Sequence, residues 1–266
     1  MKVCVFTSNQ PRHISLIECL AEFAEEVFCF LEAGTLFPGQ EEGNFRKSPL
    51  MQEYFSHVLR AEKMVFGSPR ILPANARVLP MKMGDLNSLH PDVVSSAVKQ
   101  ANVVVVFGAS YIRSPLAELL IEKKAFNIHM GVSPYFRGSS CNFWALYKNH
   151  PEDVGATIHL LTKGLDSGPM LFHCLPQPGK DVDGFSLGML AVKAAHQGLT
   201  QRLKDNTLWA MEPVPQDKSL ELCYTRMADF TDEVASNYLA RQPSSEEISL
   251  KIKNRDPKRY IRPYFA

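Results

Sequence analysis

Lys2-Val3-Cys4-Val5-Phe6-Thr7 opens the chain as a short apolar run, and the polar turn Ser8-Asn9-Gln10-Pro11-Arg12-His13 ends it. Beyond the turn, Ile14, Leu16, Ile17, Leu20, Phe23 and Ala24 recur at helical spacing. Val27-Phe28-Cys29-Phe30-Leu31 is a second apolar run, closed by Ala33-Gly34. Strand, helix and strand in this order make a βαβ unit. Parallel strands need such a crossover, so the unit predicts a parallel sheet. Val103-Val104-Val105-Val106-Phe107 is the strongest strand signal in the chain. A continuous β-branched run suits a central strand buried on both faces. Helices are expected over Met51 to Phe66, Leu86 to Gln100, Asn142 to Lys148 and Phe185 to Leu203. Further strands are expected over Ala125 to His129 and Ala156 to Leu161. The fold class is α/β, a doubly wound, mostly parallel sheet.

Residues 1–204 read as one domain, interrupted over about 35–80 by an irregular segment taken as an insertion or an elaborated crossover. Within it Phe37-Pro38-Gly39 and Ser68-Pro69 look like turns. Residues 205–266 read as a small, charged C-terminal appendage. It carries Pro213 and Pro215, a helix from Asp232 to Leu239 and a helix start at Ser244-Ser245-Glu246-Glu247. The aromatic end Tyr260-Ile261-Arg262-Pro263-Tyr264-Phe265 is expected to dock or pair.

The 266 residues are 45% hydrophobic and 21% charged, the balance of a globular protein with a substantial core. A net charge of +1 offers no global attraction for nucleic acid. No apolar run is long enough to span a bilayer. Met1 leads straight into the first strand, without the long apolar stretch of a signal peptide. Six cysteines are scattered singly, and Cys4 and Cys29 lie in apolar runs, so reduced, buried thiols are expected. Together these features predict a cytoplasmic location.

Chemistry concentrates around Phe126-Asn127-Ile128-His129 and Gly164-Leu165-Asp166-Ser167-Gly168. Alternation along a strand puts Asn127 and His129 on one face and Phe126 and Ile128 on the other. An amide donor, an imidazole and a carboxylate are the parts of an acyl-transfer site. Asp166 can pair with His129 and raise its pKa, or relay a proton through water. Read from spacing alone, the Asn and His can equally cap the next element, and the glycine-flanked Asp can equally be a turn. His159 and His173 lack ligand spacing and read as structural, so no metal site is expected. Cys141 lies near the site without a second triad, which favours packing or substrate contact over a nucleophile.

Five blocks occur in order: Asn127-Ile128-His129, Pro134-Tyr135-Phe136-Arg137-Gly138, Trp144-Ala145-Leu146, Gly155-Ala156-Thr157-Ile158 and Gly164-Leu165-Asp166-Ser167-Gly168. Over about residues 100–170 the chain resembles the formyltransferases that use 10-formyltetrahydrofolate. Among them are glycinamide ribonucleotide transformylase, methionyl-tRNA formyltransferase and the sugar-nucleotide N-formyltransferases. The resemblance implies a catalytic triad of Asn127, His129 and Asp166. It implies a folate cleft walled by Phe107, Gly108, Ala109, Tyr111 and Ile112 on one side and by Gly164 and Leu165 on the other. Arg12, His13, Ser133, Tyr135 and Arg137 are the candidates on the acceptor side, although a solvated turn arginine explains Arg12 equally well.

The chain also departs from the family pattern. It has Gly131-Val132-Ser133-Pro134 where relatives commonly carry Ser-Leu-Leu-Pro, and Ser139-Ser140-Cys141-Asn142-Phe143 where a Pro-Ile pattern is common. These departures bear on the acceptor. The implied activity is formyl transfer to a primary amine, with an amino sugar of a nucleotide-linked sugar favoured. The first turn lacks the glycines of the purine enzyme, and residues 205–266 lack the run of strands needed for a tRNA-binding barrel. The alternatives are another amine (methionyl-tRNA, a small amino compound or a carrier-bound amino acid), release of formate by hydrolysis, and an inactive folate-binding module. The expected partners are a small-molecule acceptor and, through the aromatic end, a second copy of the chain. Nucleic acid and membrane are not expected.

Overall fold

The computed structural model describes residues 1–35, 39, 40, 43, 46–68, 71–164 and 166–266. The turns expected at Phe37-Pro38 and at Pro69 lie outside the described residues. Strand β1 (Lys2–Ser8), helix α1 (Pro11–Ala21) and strand β2 (Glu26–Ala33) form the opening βαβ unit, with β1 and β2 parallel in register. Proline at the first turn starts α1, where its missing N–H costs no intrahelical bond.

Residues 35–80, read as an insertion or an elaborated crossover, contribute the crossover helix α2 (Pro49–Phe66) and lead into β3 (Ala76–Lys82). Strand β3 pairs parallel with β2 at the sheet edge. Its alternation is blurred because all of its residues are half-buried or exposed, which is why the sequence signal is weak there. The single helix expected from Leu86 to Gln100 is divided. A short 3-10 turn covers Asp85–Ser88, and α3 (Pro91–Gln100) starts at Pro91, whose ring and missing N–H break a helix interior.

Strand β4 (Val103–Val106) lies beside β1, as a central strand should. Val103 and Val105 join Val3, Val5 and α1 on one face; Val104 and Val106 join Cys4, Phe6 and α3 on the other. Helix α4 (Leu116–Glu122) packs on this second face. Strand β5 (Phe126–His129) follows, then β6 (Phe136–Gly138), α5 (Cys141–Tyr147), β7 (Ala156–Leu160), β8 (Met170–Leu175) and the long α6 (Gly184–Lys204). In β5, Phe126 and Ile128 enter the core beneath α6, which leaves Asn127 and His129 for the other face.

The C-terminal segment carries β9 (Cys223–Thr225), α7 (Asp232–Arg241), α8 (Ser245–Lys253) and β10 (Tyr264–Phe265). Ser244 and Glu247 form the capping box that starts α8. The main sheet has eight strands in the order β10-β8-β7-β5-β4-β1-β2-β3. It is parallel from β3 to β5; β7 runs antiparallel to β5 and β8, and β10 is parallel to β8. Residues 205–266 are therefore joined to the domain at several points. β9 pairs with β6, Val214 bridges Met170, and Tyr264 pairs with Cys174. The expectation of a dimer contact rested on the aromatic end, which is used within the chain. Among the described residues no helix is long and apolar enough to cross a membrane.

Two core histidines make stability pH-dependent. His173 gives Nε2–H to the Ser133 carbonyl at 2.8 Å and accepts from the Ile261 amide at 2.9 Å, and burial pushes its pKa down to about 4. His196 is buried with neither ring nitrogen hydrogen-bonded, and burial pushes it down to about 3. An unfolded chain takes up these protons as pH falls through about 6.5, whereas the native state refuses them until near pH 4. Stability is therefore present above about pH 6.5 and lost as pH falls below it, by on the order of 1 kcal/mol per histidine per pH unit. Urea midpoints measured from neutral pH down to about pH 5 should fall steadily, and a flat series would contradict the neutral, buried assignment.

Candidate active site

The order of the sheet reverses beside β1, between β2 and β4, and in open α/β sheets ligands bind where the order reverses, beyond the carboxyl ends of the strands. A cleft of about 540 Å³ opens there. Arg12 and His13 line it after β1, residues 106–112 after β4, residues 127–130 from β5, and Thr162, Lys163, Gly164 and Asp166 from the loop after β7. One wall is held by Glu32 at the end of β2. Its fully buried carboxylate accepts from the Ser110 amide at 2.7 Å, the Ser110 hydroxyl at 2.6 Å and the Gly84 amide at 2.9 Å. Gly108, with φ +64°, passes so close to His13 that a Cβ would lie 2.3 Å from Nε2.

On the cleft floor three side chains converge. His129 Nδ1 lies 3.3 Å from Asp166 Oδ2, and Asn127 Nδ2 donates to Asp166 Oδ1 at 3.1 Å. Asp166 has φ +45°, a left-handed conformation uncommon outside glycine and of the kind found at functional sites. Burial disfavours the His129 imidazolium, but the Cys141 sulfur and the Asp166 carboxylate favour it more, and its pKa stands well above the ordinary value. Burial also works to raise Asp166, yet the hydrogen bond and charge of His129 win and hold its carboxyl far below the usual range. At neutral pH the pair is thus imidazolium and carboxylate. The site can place positive charge against a developing oxyanion, whereas Asp166 is a poor proton acceptor while paired.

Residues 69–181 match the family described as Formyl transferase. The matched segment makes up less than half of the chain. It is 31% identical over 124 residues to the methionyl-tRNA formyltransferase of Trichodesmium erythraeum, covering 46% of this chain and 36% of that one. It is 29% identical over 162 residues to that of Citrifermentans bemidjiense, covering 60% and 46%. The chain thus spans less than half the length of these curated relatives. Among solved structures, a 4-N formyltransferase from Francisella tularensis superposes with a TM-score of 0.55 at 15% identity, over 96% of this chain and 89% of that one. The formyltransferase PseJ from Anoxybacillus kamchatkensis gives 0.50 at 14%, over 95% and 100%. The Helicobacter canadensis N-formyltransferase gives 0.52 at 12%, over 89% and 79%. At these identities the likeness establishes the fold.

Of the expected folate-wall residues, Phe107, Gly108, Ala109, Tyr111, Ile112 and Gly164 line the cleft, while Leu165 lies outside the described residues. Arg12 and His13 also line it, but Arg12 is not a free cation. Its guanidinium lies 2.9 Å from buried Glu62, and the same carboxylate oxygen accepts from the Arg12 amide at 3.0 Å. Ser133, Tyr135 and Arg137 do not line the cleft. Ser133 is fully buried, its amide on Thr157 Oγ1 at 2.9 Å. Tyr135 donates to the Arg259 carbonyl at 2.9 Å, and Arg137 pairs with Glu221 at 2.9 Å. Tyr135 and Arg137 are thus engaged in holding the C-terminal segment, while the Ser133 hydroxyl is buried without a hydrogen-bond partner among the described residues.

Two residues of the site lie outside the expected set. His159 stands opposite Asn127 in the β5–β7 register. Its Nδ1 faces the Leu160 carbonyl at 2.9 Å and so carries the hydrogen, which leaves Nε2 to accept from Asn127 Nδ2 at 2.9 Å. His159 therefore orients the amide. Antiparallel pairing of the two strands was the signal that would have found it. Gln216 Nε2 donates to the carbonyls of Asp166 at 2.8 Å and Gly168 at 2.9 Å, pinning the Asp loop. Nothing local in the sequence marks that contact, which spans 50 residues. Replacing His159 with leucine should leave the fold intact and lower kcat/KM by about tenfold to a hundredfold, the worth of one orienting hydrogen bond. Unchanged kinetics in that variant would show that Asn127 needs no such support.

One further cluster, His150, Glu152 and Asp153, brings its ligand atoms within 4.8 Å of one another. It lies away from the cleft, and Asp153 is already paired with Arg259 at 2.9 Å.

Proposed function

We propose that the protein transfers a formyl group from 10-formyltetrahydrofolate to a primary amine. The observation that carries this reading is the charged His129–Asp166 pair beside Asn127 on the floor of the cleft. The amine attacks the formyl carbon, and the carbonyl oxygen gains negative charge. His129 meets that charge with its imidazolium. Asn127 contributes an amide hydrogen that Asp166 now receives, and His159 keeps the amide turned toward the site. Asp166 keeps His129 charged. Collapse breaks the bond to N10 of the folate. The amine loses one proton and N10 gains one, so the step needs no external acid or oxidant. The loop from Phe107 to Ile112 and the Asp loop form the walls that receive the folate.

An amino sugar carried on a nucleotide is the acceptor we favour. PseJ was crystallised with UDP-4,6-dideoxy-4-formamido-L-AltNAc and tetrahydrofolate, and the Helicobacter canadensis enzyme with folinic acid and dTDP-3-aminofucose. The second reading, methionyl-tRNA, is favoured by the curated relatives. Against it, residues 205–266 form short helices and strands wrapped on the domain, with no barrel among the described residues. Tetrahydrofolate release, followed spectrally, tests the proposal with a panel of UDP- and dTDP-linked amino sugars, methionyl-tRNA and no acceptor. Release that depends on one amino sugar, with a formylated product by mass, is expected. Release only with methionyl-tRNA would replace the acceptor, release without any acceptor would indicate hydrolysis, and no release at all would overturn the formyl-transfer reading.

A further inference from the structure

Gly131 and Cys141, which belong to the two stretches where the chain departs from the family pattern, meet at the imidazole of His129. Cys141 opens α5, is 1% exposed and places Sγ 3.4 Å from His129 Nε2 and 3.4 Å from the Gly138 carbonyl. A Cβ on Gly131 would lie 2.5 Å from Cys141 Cβ and 2.8 Å from His129 Nε2, so the sulfur reaches the ring because residue 131 has no side chain. Asp166, Nδ1, Nε2 and Sγ thus form one line of contacts.

The proton positions follow from the partners. The Gly138 carbonyl can only accept, so it takes the thiol hydrogen. The sulfur is then free to accept Nε2–H, while Nδ1–H goes to Asp166. Both N–H groups of an imidazolium are satisfied. Sulfur is a weak acceptor, however, and holds Nε2–H loosely. An interaction that is weak in the ground state and replaced by a strong one at the oxyanion is what accelerates a reaction.

We propose that Cys141 is a positioning residue, whose sulfur holds the Nε2 side of His129 and yields its hydrogen to the charge that develops on the formyl oxygen. The yielding step rests on the formyl-transfer reading; the holding step does not. Cys141 does not line the cleft, so no covalent step is assigned to it. The titratable groups facing the His129 ring are Asp166 from the Asp loop, His159 from β7 and Cys141 from α5.

Nitrogen-15 NMR of histidine-labelled protein tests the holding step without any acceptor. In Cys141→Ala the titration midpoint of His129 should fall by about one pH unit, and in Cys141→Ser it should stay at or above the parent value. His196, which packs against Phe66 and Phe107 on another side of the core, should not move and serves as a control. Gly131→Ala, which wedges the contact apart from the other side, should reproduce the shift if Cys141→Ala folds poorly. An unchanged His129 midpoint and unchanged Nε2 shift in both the alanine variants would overturn the proposal. Kinetics test the yielding step. Both Cys141 variants should lower kcat by roughly tenfold with little change in KM, alanine by loosening the ring and serine by gripping Nε2–H more strongly. A Cys141→Ser variant with full kcat would overturn that step while leaving the formyl-transfer reading in place.

Discussion

His129→Ala is expected to lower formyl transfer by roughly three orders of magnitude, the worth of a charged, preorganised oxyanion donor. The variant removes the cation paired with Asp166, and leaves the Asp166 carboxylate to repel the developing charge. Asp166→Asn should cost nearly as much by a different route. The imidazole loses the charge that keeps it protonated, and its pKa falls toward or below the ordinary value. The pH profiles separate the two variants. In the parent protein His129 must be charged, so kcat should hold across neutral pH and decline only as pH rises through its elevated pKa. No acid limb from Asp166 should appear in the ordinary carboxylate range, because its carboxyl is held far below that range. In Asp166→Asn the alkaline decline should begin at lower pH. Single-turnover measurements of formyl transfer across pH provide the check, and an Asp166→Asn profile superimposable on the parent's would break the assigned coupling.

The second large effect is structural. Gly138→Ala should destabilise the protein by about 2–4 kcal/mol. Gly138 has φ +90°, and a Cβ there would lie 1.9 Å from the Thr225 carbonyl oxygen. That oxygen also accepts from the Ser139 amide at 2.9 Å, while the Thr225 hydroxyl donates to the Ser139 carbonyl at 2.8 Å. These bonds join the C-terminal segment to the rim of the cleft, where Gly138, Ser139 and Met227 lie. The residue before this weld, Arg137, pairs with Glu221, so the contact is reinforced from the same segment. Gly188→Ala provides the contrast. Gly188 lies inside α6, and a Cβ there meets nothing within 4 Å, so alanine should stabilise the helix by up to about 1 kcal/mol. Urea unfolding of the two variants should shift in opposite directions. A tolerated Gly138→Ala would mean that the segment is not held at this point.

The sheet was legible because burial and alternation coincide in its central strands. Val103 to Val106 are buried on both faces and read as a continuous run; Phe126 and Ile128 are buried on one, which singled out Asn127 and His129 on the other. Strand β3 was hard to read because all of its residues are half-buried or exposed, and β10 because two residues carry no periodicity. The folate-wall candidates that line the cleft came with the family resemblance. The same resemblance could not distinguish Tyr135 and Arg137, whose polar groups turn to the C-terminal segment, or the buried Ser133, from residues facing a ligand. Glu32, His159 and Gln216 were missed for a common reason. Each acts across strands or loops far apart in sequence, through hydrogen bonds that no local pattern records. The C-terminal segment was read as an appendage from its charge and turns. Its attachment depends on a few pairings, Tyr264 with Cys174 and Thr225 with Gly138 among them, that emerge only when the chain is folded.

The most direct test is a calorimetric titration of 5-formyltetrahydrofolate, an unreactive relative of the proposed donor, with the His129 ring nitrogens followed by NMR at neutral pH. Saturable, micromolar binding to a protein whose His129 is already an imidazolium, with its Nε2 signal moving on binding, is the predicted result. A His129 that is neutral at that pH, or a cleft that takes up no folate, would contradict the account.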